Sequence, residues 1–484
     1  MKTSDHNRKD ESRDLVVMKF GGTSVEDASA FRRLLRIVES RAHALPVVVV
    51  SALAKVTDQL LSAAHAAGEG KLDYANAVVT EIRLRHQEIS AELLDEEAQS
   101  ELQQEFDAEF RELNAEICGI AGDGQLTGRA QDAVLSFGER LSSKLAHAVL
   151  RLHGLDAVHI DSASAIVTDS RHTQAMPLWD IAYRNLAEVL QPLLCKGEIP
   201  VLGGFIASNT EGVPTTLGRG GSDLTGSMVG AALHAARVEI WTDVDGIMTT
   251  DPNVCPEARR IPRISFEDAA TLAHFGAKVL HPATLKPAMQ ANIPVHVLNS
   301  RNPGGEGTEI MANVTGPGLV KALTAKRGIA IVEVDLRDGR SAELIPALCA
   351  VFERHHCPID VMAASHDRLS VLVGSTSALP AVAAEASKLA NLDWENHKAL
   401  VCLVGENLDR QPEVVSRVFA AVSDMDVRVL CQGGSDRALS FLVEETKAEE
   451  SMRRLHALFF SDKKLPVPTK FNSAALCQAG ESWL

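Results

Sequence analysis

Aromatic side chains are scarce in this chain, at 4% of 484 residues, which excludes a core built on stacked rings. The 45% of apolar residues must therefore come mainly from Ala, Val, Leu and Ile, a composition suited to helices packed on a parallel sheet. Long hydrophobic runs are missing too: stretches such as 46–50 fall far short of the roughly 20 residues that span a bilayer. There is no basic excess. A formal net charge of −16 argues against nucleic acid and anionic membrane as standing partners, though not against a small basic pocket. The eight cysteines form no CxxC and no zinc spacing with histidine, so they read as buried thiols of a reducing compartment. Met1–Asp14 has no apolar segment of the signal-peptide kind. A cytoplasmic, soluble chain of roughly three domains is expected.

What is present is α/β alternation from 15 to 300. Strands are predicted at 15–20, 46–51, 156–160, 199–204, 238–242 and 294–298. Helices are predicted at 27–43, 57–67, 73–93, 99–119, 132–153, 177–195, 222–236 and 284–291. This pattern means a mostly parallel sheet, with ligands at the carboxyl ends of its strands. Gly, Pro and Asn gather after 299, and a linker is placed at 301–326. Beyond it, Arg368-Leu369-Ser370-Val371-Leu372-Val373 recurs as Ala438-Leu439-Ser440-Phe441-Leu442-Val443. Two ferredoxin-like βαββαβ units follow from that repeat, at 327–395 and 396–464. Residues 1–14 and 465–484 read as tails.

Lys19-Phe20-Gly21-Gly22-Thr23-Ser24-Val25 joins a strand to a helical pattern through a glycine turn. Such a turn aims backbone N–H groups at an anion, and the lysine adds a mobile charge. In a P-loop the lysine follows the glycines; here it precedes them, so a P-loop fold is disfavoured. Ser51-Ala52-Leu53-Ala54-Lys55-Val56-Thr57 follows the second strand and reads either as a set of site hydroxyls or as a helix cap. Thr216-Leu217-Gly218-Arg219-Gly220-Gly221-Ser222-Asp223 is a second anion site at a helix start, with Arg219 able to grip a carboxylate in a fork. Thr242-Asp243-Val244-Asp245-Gly246 ends another strand. Glu139 is either a site acid or an ordinary first-turn glutamate, and Lys278 either a site lysine or a solvated one. His281, His355 and His356 lack metal-ligand spacing and read as structural.

Taken together, the Lys19–Val25, Thr216–Asp223 and Phe275–Pro282 segments resemble the signatures of aspartate kinases, of the amino-acid kinase superfamily. The duplicated C-terminal unit is similar to the paired ACT domains of that family. The resemblance covers about 15–460. It implies a catalytic domain at 15–300 that phosphorylates the L-aspartate β-carboxylate with ATP and Mg²⁺, the metal being held mainly through ATP. It implies that Lys19 and Asp223 are catalytic. Lys19, Gly21 and Gly22 would hold phosphate, with both glycines donating N–H groups. Thr242, Asp243, Met248, Asn253 and Lys278 would line the nucleotide side. Ser51, Thr57, Glu139, Arg219, Ser222 and Asp223 would form the aspartate pocket, with Arg219 on the α-carboxylate and Glu139 on the ammonium. Met248 and Asn253 depart from the Tyr and Arg common in the family. Ser341 and Asp360 fall near the effector pocket, with lysine the first expectation and threonine the second. A homodimer or dimer of dimers is implied. Another amino-acid kinase acting on glutamate or a derivative, and a catalytically silent sensor, are the alternatives.

Overall fold

A computed structural model describes residues 14–461 apart from 278–279, 281, 315–318, 338–340, 375–376 and 432–435. Both predicted tails, Lys278 and His281 therefore lie outside the described residues, except for Asp14. The chain forms two compact units. The first runs to Met248 and resumes at Arg260; the second takes Thr249–Arg259 and the chain beyond 317.

The first unit has strands β1 (Leu15–Phe20), β2 (Leu45–Val50), β3 (Ala157–Ile160), β4 (Val167–Thr168), β5 (Ile199–Gly203), β6 (Ile206–Asn209), β7 (Pro214–Thr216), β8 (Arg237–Thr242), β9 (Arg263–Ser265), β10 (Val295–Asn299) and β11 (Thr308–Met311). Its helices are α1 (Ala28–Ser40), α2 (Val56–Gly68), α3 (Leu72–Leu93), α4 (Glu96–Asp123), α5 (Gly128–Leu152), α6 (Ser162–Ala165), α7 (Trp179–Lys196), α8 (Gly221–Leu233), α9 (Phe266–His274) and α10 (Pro282–Gln290). Eight strands form one sheet in the order β3-β5-β2-β1-β8-β10-β11-β9, parallel except between β10 and β11. The Val-rich β2 is buried on both faces, as a central parallel strand must be. Strands β4, β6 and β7 form a small second sheet.

Local signals set the helix ends. Asp27, Asp95 and Thr127 each accept a hydrogen bond from an N–H in the first turn of α1, α4 and α5. Gly124, at φ 67°, closes α4 in a left-handed conformation. The apolar faces of α1 to α5 join the sheet in one core, with Phe31, Phe106, Phe110 and Phe137 among its largest side chains. Among the described residues no helix is long and apolar enough to cross a membrane.

The second unit has β12 (Val320–Asp335), α11 (Ser341–Arg354), β13 (Ile359–Ala364), β14 (Arg368–Gly374), α12 (Leu379–Ala386), β15 (Leu392–Gly405), α13 (Pro412–Ala421), β16 (Leu430–Cys431), β17 (Ala438–Glu444) and α14 (Ala448–Phe460). Its sheet is antiparallel, in the order β13-β14-β12-β15-β17-β16.

This arrangement corrects the predicted linker at 301–326 and the unit boundary at 395. The Gly, Pro and Asn cluster is only a loop before β11, and 320–326 is already strand. Residues Ala322–Lys326 pair with Leu400–Val404, whereas Ile329–Asp335 pair with β14. One core therefore takes Ala330, Val332 and Val334, and the other takes Val320 and Leu323. The first repeat is inserted into the second, which borrows its last strand from upstream. Gly328, at φ 65°, sits at the register shift where β12 passes from one core to the other.

Candidate active site

The strands β1, β2, β5 and β8 carry their carboxyl ends to one edge of the large sheet. Lys19 is the second-last residue of β1, paired to Val49 on one side and Ile240 on the other, so its backbone is fixed within the sheet. The residue is 8% exposed, and its Nζ lies 2.6 Å from Asp223 Oδ1 in the first turn of α8. Gly226, one turn further along α8, lets the helix approach, since a Cβ there would lie 3.2 Å from Lys19 Cβ.

The glycine turn after β1 differs from expectation at one residue. The Gly21 N–H donates to Trp241 O at 2.9 Å and is not available to an anion. Gly22 and Thr23 instead open a 3-10 turn, Gly22–Ser24, whose leading N–H groups have no acceptor among the described residues. Gly22 is also required sterically: a Cβ would meet Ala52 O at 3.1 Å. Ser24 is buried and donates to Trp241 O, which ties the turn to the end of β8.

Ser51 and Thr57 flank the turn from β2 into α2, and Ser51 O accepts from Ser142 of α5. That helix is drawn close by Gly138, where a Cβ would lie 2.8 Å from Ala52 Cβ. The next residue, Glu139, is 3% exposed, and its Oε2 has no hydrogen-bond partner. Burial pushes its carboxyl up to about 8, against the opposing pull of the Ala52 N–H, its own N–H and Lys19. Gly203, at the end of β5, backs against Glu139, with a Cβ position 3.1 Å from Glu139 Cβ.

Arg219 is exposed in the turn before α8 and forms no ion pair among the described residues. Ser222 is buried against Gly204, where a Cβ would lie 2.6 Å from Ser222 Cβ. Thr242 ends β8, the exposed Asp243 follows it, and Thr242 O accepts from Ser300. One edge of the first unit thus gathers Lys19, Gly21, Gly22, Ser51, Thr57, Glu139, Arg219, Ser222, Asp223, Thr242 and Asp243. Met248 lies further on, bridged to Arg260. Asn253 belongs to the second unit, where it bonds Asp251. Ser341 and Asp360 are also in the second unit, at the start of α11 and in β13. Among the described residues, no group of three or more His, Cys, Asp or Glu is gathered as a metal cage.

Sequence reasoning missed Gly204 and Phe205. Phe205 holds φ 65° without being glycine, bonded through its N–H to Thr225 and through its O to Leu217. Its ring packs under Gly221, where a Cβ would lie 2.8 Å from Phe205 Cδ2. The Gly203-Gly204 pair closing a predicted strand was the available signal.

The model of the amino acid kinase family matches residues 14–299, and an ACT domain model matches 401–459. The lysine-sensitive aspartokinase 3 of Escherichia coli is 35% identical over 92% of this chain and 99% of its own length. The chloroplastic aspartokinase 3 of Arabidopsis thaliana is 32% identical over 93% of this chain and 83% of its own. The structure of E. coli aspartokinase III with aspartate and ADP, described as the R-state, aligns with a TM-score of 0.83 at 33% identity. That alignment covers 93% of this chain and all of that one. The same enzyme with lysine and aspartate, the T-state, aligns at 0.77 and 34% identity, over 92% of this chain and all of that one.

Proposed function

This chain belongs to the amino acid kinase family and, within it, to the aspartate kinases, and from that premise we propose that it makes 4-phospho-L-aspartate from ATP and the β-carboxylate of L-aspartate. That product would open the synthesis of lysine, threonine and methionine. The observation that carries the reading is a buried acid with a free oxygen, Glu139, within reach of the charge of Lys19, which is paired to the largely buried Asp223. An amino acid supplies an ammonium for the first, and a transferring phosphoryl group needs the cation of the second.

No general base is required. A carboxylate acceptor with a pKa near 3.9 is already ionised at neutral pH. The obstacle is the approach of two anions, so catalysis is positioning and charge neutralisation. Lys19 neutralises the phosphoryl oxygens, and Asp223 holds its Nζ in place. The free N–H groups of Gly22 and Thr23 add dipoles at the same end. Arg219 takes the α-carboxylate, and Ser51, Thr57 and Ser222 complete the pocket. Thr242 and Asp243 face the nucleotide. Mg²⁺ would arrive with ATP, as its phosphate counter-ion.

Turnover of ATP with and without acceptor, with the acyl phosphate trapped by hydroxylamine, tests the assignment. Aspartate supports turnover, and glutamate falls behind by about tenfold or more, the range one methylene commands. Equal use of glutamate would move the chain to another amino-acid kinase. Absence of ATP turnover with every acceptor would leave the silent sensor.

Feedback by lysine is the regulatory reading, supported by the lysine-sensitive relative and by the ACT match. A homodimer or dimer of dimers through these units goes with it. Asp360 carries the effector ammonium in this reading, and Ser341, at the start of α11, is the second residue assigned to that pocket. The carboxylate already has an internal partner: Lys326 Nζ lies 2.5 Å from Asp360 Oδ1, and the Asp360 side chain is only 8% exposed. An effector must share or displace that lysine. Lysine titrated into the assay lowers turnover and threonine does not, and Asp360→Ala shifts the lysine curve by about tenfold or more. Insensitivity of the wild-type enzyme to both amino acids removes the feedback reading.

A further inference from the structure

Asp132 is fully buried in α5, seven residues before Glu139, and none of the chemistry above uses it. A carboxylate without water must find its hydrogen bonds inside the fold. Asp132 finds them in two segments distant in sequence. Thr216 Oγ1 donates to Oδ1 at 2.5 Å. The Thr173 N–H donates to both oxygens, at 3.0 and 2.9 Å. His172 Nδ1 donates to Oδ2 at 2.7 Å.

Both segments lead to the turn that carries Arg219. Thr216 ends β7, three residues before Arg219. The loop holding His172 and Thr173 lies against that turn: at Gly218, with φ 72°, a Cβ would stand 3.3 Å from Thr173 O. The two segments are also joined to each other, Ala175 N–H donating to Thr216 O at 2.9 Å. Thr173 itself is held at φ 71°, a left-handed conformation that a β-branched residue adopts only when its surroundings impose it. Arg219 has no ion-pair partner of its own among the described residues, so the backbone of its turn is what aims it.

We propose that Asp132 is a positioning residue for Arg219, with Thr216 and His172–Thr173 as its two arms, and that it sets the affinity for the aspartate α-carboxylate. The inference rests on the assignment of Arg219 to that carboxylate. A guanidinium fork is worth its full strength only when both N–H groups meet both oxygens, so a small tilt of the turn costs binding. The hydrogen-bonded cluster acts before the substrate arrives and touches neither ATP nor the reacting atoms.

Steady-state kinetics in both substrates, over Thr216→Val, Asp132→Asn, Arg219→Ala and the Thr216→Val/Arg219→Ala double variant, tests this. Arg219→Ala raises the aspartate KM by about 100-fold and leaves the ATP KM within about twofold. Thr216→Val and Asp132→Asn each raise the aspartate KM by about tenfold, also without moving the ATP KM. In the Arg219→Ala background, Thr216→Val adds nothing, because the group it positions is gone. A role in folding alone behaves otherwise: kcat falls with the folded fraction and both KM values stay put. That pattern, or a full tenfold effect of Thr216→Val on top of Arg219→Ala, overturns the inference. If Arg219→Ala leaves the aspartate KM unchanged, the pocket assignment fails and the inference goes with it. If Arg219→Ala behaves as expected while Thr216→Val and Asp132→Asn do not, the inference alone fails. Thr216→Val removes one hydroxyl from a strand end and keeps the test open should Asp132→Asn not fold.

Discussion

Replacing Lys19 by alanine lowers kcat by about a thousandfold or more, the scale of losing one preorganised charge at a reacting group. The chain remains folded, because Lys19 sits in β1 between β2 and β8 and its backbone pairing does not depend on the side chain. The methyl of alanine keeps the Cβ that packs on Gly226. The stability cost is separate and comes from Asp223, whose side chain is 14% exposed and loses its ammonium partner. An unpaired acid so placed costs about 3 kcal/mol, and it also repels an incoming phosphate. The Lys19→Ala/Asp223→Ala double variant separates the two effects. Its melting temperature returns toward that of the wild type, while kcat stays low. Near-normal kcat in Lys19→Ala would remove Lys19 from the chemistry. Recovery of kcat in the double variant would mean that the lysine only neutralised its own neighbour.

The parallel sheet was legible because β1, β2, β5, β8 and β10 are apolar runs punctuated by turns, and all five match the predicted strands to within a residue at each end. The small sheet was not. Its strands read Val167-Thr168, Ile206-Ala207-Ser208-Asn209 and Pro214-Thr215-Thr216, too short and too polar to show a period, and tertiary pairing alone makes them strands. The repeat at 368–373 and 438–443 revealed two copies, yet their interlock was hidden. Lys326-Arg327-Gly328 reads as a break, and nothing local tells that Ala322 faces Val404 while Ala330 faces Val373. Periodicity reports which face is buried and is silent about the partner that buries it.

The site divides the same way. Lys19, Arg219, Ser222 and Asp223 announce themselves through the glycines beside them, since close backbone approach leaves a mark in sequence. Asp132 leaves none: an aspartate in the first turns of a helix is an ordinary event. Its partners come from 40 and 84 positions away. Gly21 is the converse case. Its place in the motif suggested a phosphate donor, but the N–H is spent on Trp241 O in joining β1 to β8. Residue type tells what a group can do, and only the fold tells whether it is still free.

Glu139 yields a result that changes sign between binding and stability. With its carboxyl pushed up to about 8, the free enzyme at pH 7 holds Glu139 largely protonated. An ammonium ion is held by the carboxylate, so aspartate binding must expel that proton. The aspartate KM then falls by about tenfold per pH unit as pH rises from 6.5 toward 8, and levels off above it. Calorimetric titration at pH 7 in two buffers of different ionisation enthalpy reads proton release directly. Stability runs the opposite way. The unfolded chain ionises Glu139 near 4.5 and the folded chain only near 8, so folding takes up a proton between those values. Below about 4.5 both states are protonated and the residue is neutral to stability; as pH rises to 8, stability drains away. Glu139→Gln cannot ionise. It matches the wild type in melting temperature near pH 4.5 and exceeds it by a gap that widens to pH 8, while its aspartate KM is raised about 100-fold and no longer varies with pH over this range. A wild-type KM flat between 6.5 and 8 with no proton release would detach Glu139 from the ammonium. A melting gap independent of pH would mean that the carboxyl is ionised throughout and that something other than burial holds it.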